Sequence, residues 1–447
     1  MVTATQATPE QRRAQGRAAR EVVPRSAQAR WDRTADAPAA LTHLRAQERI
    51  RVKDLLPLRY ERMAASPWTY FRGGAAVMAA DLASRPHTGL TVQMCGDAHV
   101  LNFGLWATPE RNLAFALRDF DETLPGPFEW DVKRLATSLV IVARENGHPD
   151  QVGLDAVGVC VRAYRERMRR YARTDQLAIW YDAIHVDELL THFDSDARGF
   201  ARRLITKKAK NRSNQGAFDR LTDTVDGHIR IRENPPVLTH VDDPRRFEIV
   251  HEVFDRYRET LQDDRKVCLD RFTYTDAARQ VVGVGSVGML VHLVLLTGPR
   301  DEPLFLQVKQ AGPSVYEKHL GRSQYANHAA RVINGKRLIQ SATDMFAGWT
   351  SYQRAHFYVR QFRDMKVIPD THLLKDVLAS FARACGEALA KAHARSGDPV
   401  AIDAYLGRND TFTEAMQRFA RTYADRNEAD HAALGAAVAG GKTIRPA

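Results

Sequence analysis

Apolar and polar positions alternate between helical and strand spacing in blocks. Residues 41–54 carry apolar side chains at helical spacing, a pattern that breaks at Pro57 and again at Ser66-Pro67. FRGGAAVMAADLA (71–83) then resumes it with small residues, predicting a closely packed helix. From Gly89 the spacing becomes that of strands. LTVQMCGDAH and LAFALRDFDE read as two short strands, each running out into carboxylates at its C-terminal end. After the turn Pro125-Gly126-Pro127, the run FEWDVKRLATSLVIVAREN places Val132, Leu135, Ala136, Leu139, Val140 and Val142 on one helical face.

Residues 151–270 read as mostly helical. From Ala278 the pattern is β again, through RQVVGVGSVGMLVHLVLLTGPRDEPLFLQVKQA, with a polar turn at 298–303 and a last strand LFLQVK. A helix is predicted over 327–343, a strand over 357–366, and closing helices over 373–393 and 413–425. Residues 1–40 hold few large apolar side chains, so a disordered tail is expected there. There is no internal repeat.

The 447 residues are 44% hydrophobic and 27% charged, ordinary globular values that exclude collagen, coiled-coil and wholly disordered chains. The best apolar run, 287–296, is short of the ~20 residues that cross a bilayer, and no membrane partner is expected. The polar start lacks the apolar centre of a secretory signal, which makes the cytoplasm the expected location. Cys95, Cys160, Cys268 and Cys385 are widely spaced with no CxxC pair, so neither a disulfide framework nor a zinc-cysteine site is expected. A net charge of +11 favours anionic partners. The basic runs RAYRERMRRYAR and ARRLITKKAKNRS read as solvated helix faces; nucleic acid is left open and not favoured.

Three constellations carry candidate chemistry. In Gly96-Asp97-Ala98-His99-Val100-Leu101-Asn102, an Asp at a strand end with an Asn five residues on can present a carboxylate to an acceptor hydroxyl and an amide oxygen to a divalent cation. The same residues could instead form a loop that caps a helix. In Asp119-Phe120-Asp121-Glu122, three carboxylates repel one another unless a cation compensates; magnesium is one candidate and Arg118 another. The third is the GxGxxG of Gly283, Gly285, Ser286 and Gly288. A dinucleotide fold would follow it with a helix and an acidic residue. Here strand-like residues follow and Lys309 ends the next strand, which fits a nucleotide-covering hairpin, while a ligand-free glycine turn is the third reading. His393, Ser396 and Asp398 crowd within six positions, too close for a hydrolase triad, and read as a helix cap.

Together the sets resemble the protein-kinase-like superfamily, particularly its aminoglycoside and choline phosphotransferase branch, in which a GDxHxxN loop precedes a strand ending in Asp. The resemblance implies that Asp97 orients or deprotonates the acceptor, with His99 beside it in the catalytic loop. Asn102 and Asp119, with Asp121, would hold magnesium, and Lys309 would contact the α and β phosphates of ATP. Glu317 is the candidate partner of Lys309, with Glu302 and Glu387 as alternatives. Asp131 would fix the loop. Here Asp97 precedes Gly283 by 186 residues, the reverse of the ordinary kinase order, so the sequence resembles a circular permutation. LAKAHA (389–394) is similar to the helix that normally leads into the catalytic loop.

PLRYERMAASPWTYFRG, CGDAHVLNFG, DFDETLPGPFEWDVKRLA, VGVGSVG, LFLQVK, YVRQFRDMK and AHARSGD further identify the chain as a member of a bacterial family, domain of unknown function 2252. Within those segments Arg59, Arg62 and Arg72 would clamp phosphate or support the loop, and Arg360 with Lys366 would belong to the hinge. The expected fold is α+β: a two-lobed kinase-like enzyme in permuted order with a large helical insertion. Its parts would be a tail (1–40), a catalytic and metal-binding part (41–150), a helical region (151–270), a β-rich nucleotide lobe (271–368) and closing helices (369–447). The expected activity is ATP- and magnesium-dependent phosphoryl transfer to a hydroxyl or amine of a small molecule or protein. AMP transfer to protein, and non-catalytic nucleotide or nucleic-acid binding, are the alternatives. All of this requires 281–309 to fold over the cavity into which 96–122 projects.

Overall fold

The computed structural model describes residues 7–33, 39–211, 214–240, 246–362 and 365–440. The fold is α+β: a six-stranded antiparallel sheet beside a larger helical body. Twelve strands among the described residues are numbered in chain order: β1 (Thr91–Met94), β2 (Phe103–Ala107), β3 (Leu113–Leu117), β4 (Leu124–Pro127), β5 (Thr222–Val225), β6 (His228–Ile231), β7 (Leu238–Thr239), β8 (Thr273–Gln280), β9 (Val291–Thr297), β10 (Pro303–Ala311), β11 (Gly348–Tyr352) and β12 (Ala355–Gln361).

The main sheet has the order β11-β12-β10-β9-β8-β7. The strand β10 is central and buried along almost its whole length because both faces are covered. Leu304, Leu306 and Val308 pack against Tyr257 and Leu261 of the 246–269 helices. Phe305, on the opposite face, packs with Ala217, Ile231 and Leu238. Period-two alternation sends Lys309 to that same face as Phe305, opposite Tyr358 on β12 and Val291 on β9.

Two short ladders place the loops that matter. β1 pairs with β4 so that Met94 faces Leu124, and β2 pairs with β3 so that Phe103 faces Leu117. The segments 95–102 and 118–123 are thus the two crossings between the same pair of ladders, and they emerge side by side. Behind them lies the Phe128–Glu145 helix, buried on nearly every face as its apolar spacing requires, in a core shared with the Asp150–Tyr171 and Leu378–Ser396 helices.

Three expectations are corrected. The 7–33 part of the supposed tail is ordered: Thr8 and Gln11 form a capping box on the Pro9–Val22 helix, and Gly16 and Ala19 are buried in it. A Cβ at Gly16 would fall 2.0 Å from the Ala401 carbonyl oxygen, so small residues supply the order through close backbone approach, where large apolar ones were looked for. Residues 1–6 and 34–38 lie outside the described residues. Pro57 does not end a helix; it sits in the first turn of Leu56–Ala64, where its missing N–H is harmless. Finally, 151–270 is not one helical body. Asp150–Tyr171 packs on the helical core, whereas Ala217, Ile231, Leu238, Tyr257 and Leu261 cover the main sheet.

Candidate active site

The loop 95–102 is held from beneath by Asp131. Its Oδ2 accepts the Cys95 N–H at 2.7 Å, its Oδ1 accepts the Gly96 N–H at 3.0 Å, and His393 Nε2 lies 3.3 Å from Oδ2. Asp131 thus fixes the loop, as its place in WDVKRLA led to expect. Gly96 turns with φ +80°, and a Cβ there would meet the Glu122 carbonyl at 2.3 Å, so only glycine lets the two acidic loops touch.

Asp97 projects from this turn. Arg134, 1% exposed, donates to its Oδ1 from Nε at 2.9 Å and approaches with Nη2 at 2.7 Å. His99 Nε2 lies 3.8 Å from the other oxygen, Oδ2. Burial raises the Asp97 carboxyl above its ordinary value, more than the Arg134 guanidinium lowers it. Burial, reinforced by Arg72, Arg134 and Arg118, drives the His99 imidazole well below its usual value, so it is neutral. Its Nδ1 is buried without a hydrogen-bond partner among the described residues, and its ring meets Trp68 edge-on.

Asn102 differs from expectation. Its Oδ1 accepts the Asp119 N–H at 2.8 Å, while its Nδ2 donates to the Asp97 and Asp119 carbonyls at 2.9 and 3.0 Å. It therefore staples the two acidic loops together by their backbones, and its amide oxygen is engaged by the Asp119 N–H.

Lys309, 1% exposed, donates through Nζ to Asp121 Oδ2 and lies 3.8 Å from Asp119 Oδ2. Tyr358 donates its hydroxyl to Asp121 Oδ1 at 2.8 Å. Burial disfavours charge on both Lys309 and Asp119, but the attraction between them outweighs it. Lys309 is held above its usual value, and Asp119, with Arg360 and Arg118 also near, below its own. Asp119 Oδ1 is buried with no hydrogen-bond partner among the described residues.

The partner of Lys309 is thus none of the glutamates considered from sequence. Glu317 accepts the Ser314 N–H at 3.1 Å and lies 3.6 Å from Arg331 Nε. Glu302 accepts the Arg300 N–H within the β9–β10 turn, and Glu387 lies 3.1 Å from His192. The strand register decides this, because β10 aims Lys309 at the 118–123 loop.

The glycine-rich turn between β8 and β9 closes over these groups. Gly283, Gly285 and Ser286 line a cavity of about 90 Å³ together with Asp97, His99, Asp119 and Asp121. An adjoining cavity of about 300 Å³ shares Gly285, Ser286, Asp121 and Glu122 and extends to Glu317. Gly288 lies outside both linings; its carbonyl accepts the Val52 N–H at 2.7 Å and anchors the turn. Val284 packs with Tyr60, Met63 and Tyr70, and Val281 and Val287 pack with Leu55. Arg62 supports the turn by donating to the Gly283 carbonyl at 3.1 Å, and Arg59 donates to Gln47 at 2.6 Å. Arg72 and Arg51 line the cavity itself, each with a buried Nε that has no partner. Burial, then neighbouring Arg59, pushes the Arg51 guanidinium down to about 9, the mark of a buried cation short of an anion. Burial likewise raises the Glu122 carboxyl to about 7.

Sequence reasoning missed Arg134, Tyr358 and Arg51. The first two stand inside quoted segments, WDVKRLA and YVRQFRDMK, but nothing in a sequence marks which arginine or tyrosine turns inward. Arg360 stays at the sheet, donating to Gln307 Oε1 at 3.0 and 2.8 Å. Among the described residues, no group of three or more His, Cys, Asp or Glu is arranged to hold a metal ion.

The fold and site define a mixed α+β protein with a lysine-bridged pair of aspartates beneath a glycine turn. The chain belongs to the family described as an uncharacterized protein conserved in bacteria (DUF2252), whose model matches residues 51–437. No curated protein and no solved structure gives a match.

Proposed function

We propose that the protein is a kinase-like phosphotransferase of permuted order that uses ATP and magnesium to phosphorylate a hydroxyl or amine. One observation carries the reading: the turn holding Gly283, Gly285 and Ser286 covers the same cavity as Asp97, Asp119 and Asp121, although at least 162 positions separate them in sequence. That is the arrangement phosphoryl transfer needs, since the reaction depends chiefly on positioning and charge neutralisation.

The donor set fits magnesium in part. Asp119 offers an unpartnered buried oxygen and Asp121 stands beside it, while Asn102 is already committed to backbone groups. In the proposed complex Asp119 and Asp121 would hold the ion, whose charge would offset that of the phosphates. Lys309, released from Asp121, reaches the α and β phosphates, and Arg51 and Arg72 supply further positive charge to the cavity wall. Asp97 keeps Oδ1 on Arg134 and uses Oδ2 to take the acceptor proton; its raised affinity for protons suits that task. The acceptor oxygen or nitrogen bonds to the γ phosphorus as the bond to the ADP oxygen breaks. A cytoplasmic location accompanies this reading: all four cysteines are free, and no helix of the described residues is long and apolar enough to cross a membrane.

Thermal-shift titration with ATP and magnesium, followed by product mass analysis, tests the proposal. Stabilisation and transfer of one phosphate are expected. Transfer of an adenylate, or binding without turnover across an acceptor screen, would replace it.

A further inference from the structure

Outside the linings of the glycine-turn cavities, the Pro9–Val22 helix and the Pro399–Leu406 helix border an open surface cavity of about 450 Å³. Six arginines line it: Arg13, Arg17 and Arg20 from one face of the first helix, Arg25 just beyond it, Arg169 and Arg408. We propose that this cavity binds a small polyphosphate anion of the tri- or tetraphosphate class.

Part of the arginine cluster has a structural role. Arg20 donates to the Tyr405 carbonyl at 2.9 Å, Arg25 to the Leu406 carbonyl at 2.9 Å and Arg169 to the Gly407 carbonyl at 3.2 Å. These three cap the C-terminal end of the Pro399–Leu406 helix, where its dipole favours cations. Capping does not explain Arg13, Arg17 and Arg408. They make no hydrogen bond or ion pair among the described residues, yet they face the same space. Asp403 is the single carboxylate of the lining, and it lies 3.6 Å from Arg169. Arg13, Arg17 and Arg408 are exposed, so water screens part of the repulsion among these charges, and a multiply charged anion placed between them would offset the rest. Burial, and then neighbouring Arg20, already lower the Arg25 guanidinium below its ordinary value.

The shape selects the ligand. Guanidinium groups converge from separate segments on one concavity whose volume falls within the ~300–1,000 Å³ of small-molecule sites. A polynucleotide would be better met by a basic stripe. Planar forked donors suit phosphate oxygens. No residue of this lining is shared with the cavities beneath the glycine turn, and Arg13, Arg17, Arg20 and Arg25 all precede the 51–437 segment that the family model matches. The site stands whether or not the chain transfers phosphate.

Calorimetric titration of the full chain with tripolyphosphate, at physiological salt, tests the assignment. The triple variant Arg13→Ser/Arg17→Ser/Arg408→Ser should bind about tenfold more weakly or worse, because three charge-assisted contacts are lost. Arg408→Glu alone, at an exposed position, should weaken binding and serves as the check if the triple variant folds poorly. Wild-type affinity in both arginine variants, no binding by the wild type, or tighter binding of a single-stranded oligonucleotide than of tripolyphosphate would each overturn the proposal.

Discussion

The backbone amide of Gln93 donates to Ser396 Oγ at 3.0 Å, joining positions 303 residues apart. Through this bond the end of the Leu378–Ser396 helix abuts β1, the strand that delivers Asp97. Gly397 is packed so closely there that a Cβ would meet the Val92 side chain at 2.6 Å. In space the helix leads into the acidic loop; in sequence it comes almost last. This is the adjacency that the proposed permuted order requires.

Asp97→Asn should lower kcat by about 10²- to 10⁴-fold, the usual worth of a positioned general base, while ATP affinity changes little. Steady-state kinetics beside nucleotide titration checks it. Full activity in the variant would remove Asp97 from the reaction.

Lys309→Met should destabilise the chain and abolish nucleotide binding. The Asp119 carboxyl is held below its ordinary value, so the pair's contribution is present above the unfolded carboxylate pKa of about 3.9 and fades as pH falls beneath it. Lys309 is held above its usual value, so its contribution is present below about 10.4 and fades as pH rises through the still higher folded value. The melting-temperature gap between wild type and variant should therefore be widest from about pH 5 to pH 9.

Glu122→Gln should stabilise the chain at alkaline pH. The folded Glu122 carboxyl titrates at about 7 against about 4.3 unfolded, so in that window the folded state binds more protons and stability falls as pH rises. Glutamine keeps an acceptor for the Val315 N–H, which bonds Glu122 Oε2 at 2.7 Å. The variant's melting temperature relative to wild type should rise by on the order of 2 °C between pH 5 and pH 8. A flat difference would show that Glu122 is ionised throughout.

Gly96→Ala should lose both stability and activity. It combines a positive φ, costing about 1–3 kcal/mol, with a clash against the Glu122 backbone that can be relieved only by parting the two acidic loops. Gly147→Ala, also at positive φ but with open space around it, serves as the strain-only comparison. Equal melting temperatures in the two variants would show that contact between the loops contributes nothing.

The sequence by itself determined the strands that carry Asp97, Asp119 and Lys309 and the buried Phe128–Glu145 helix, while β4, read as a turn, and β5, β6, β7 and β11 lacked a local signal. Alternating apolar residues ending in Asp97 and Asp119 are a local signal, because a strand's side-chain period is fixed by its backbone. The same holds for the β9 strand after the glycine turn and for Asp131 as a loop anchor, whereas β8 was legible only from Ala278. Pairing was decided only by the tertiary structure. Lys309 meets Asp121 because β10 lies between β9 and β12 in one register, and no sequence spacing encodes which distant carboxylate that register will face. Asn102 bonds to the backbones of both acidic loops because the β1–β4 and β2–β3 ladders bring those loops into hydrogen-bonding distance. The order of residues 7–33 has the same origin: Gly16 gains nothing alone, and becomes part of the core only when the backbone at Ala401 arrives against it.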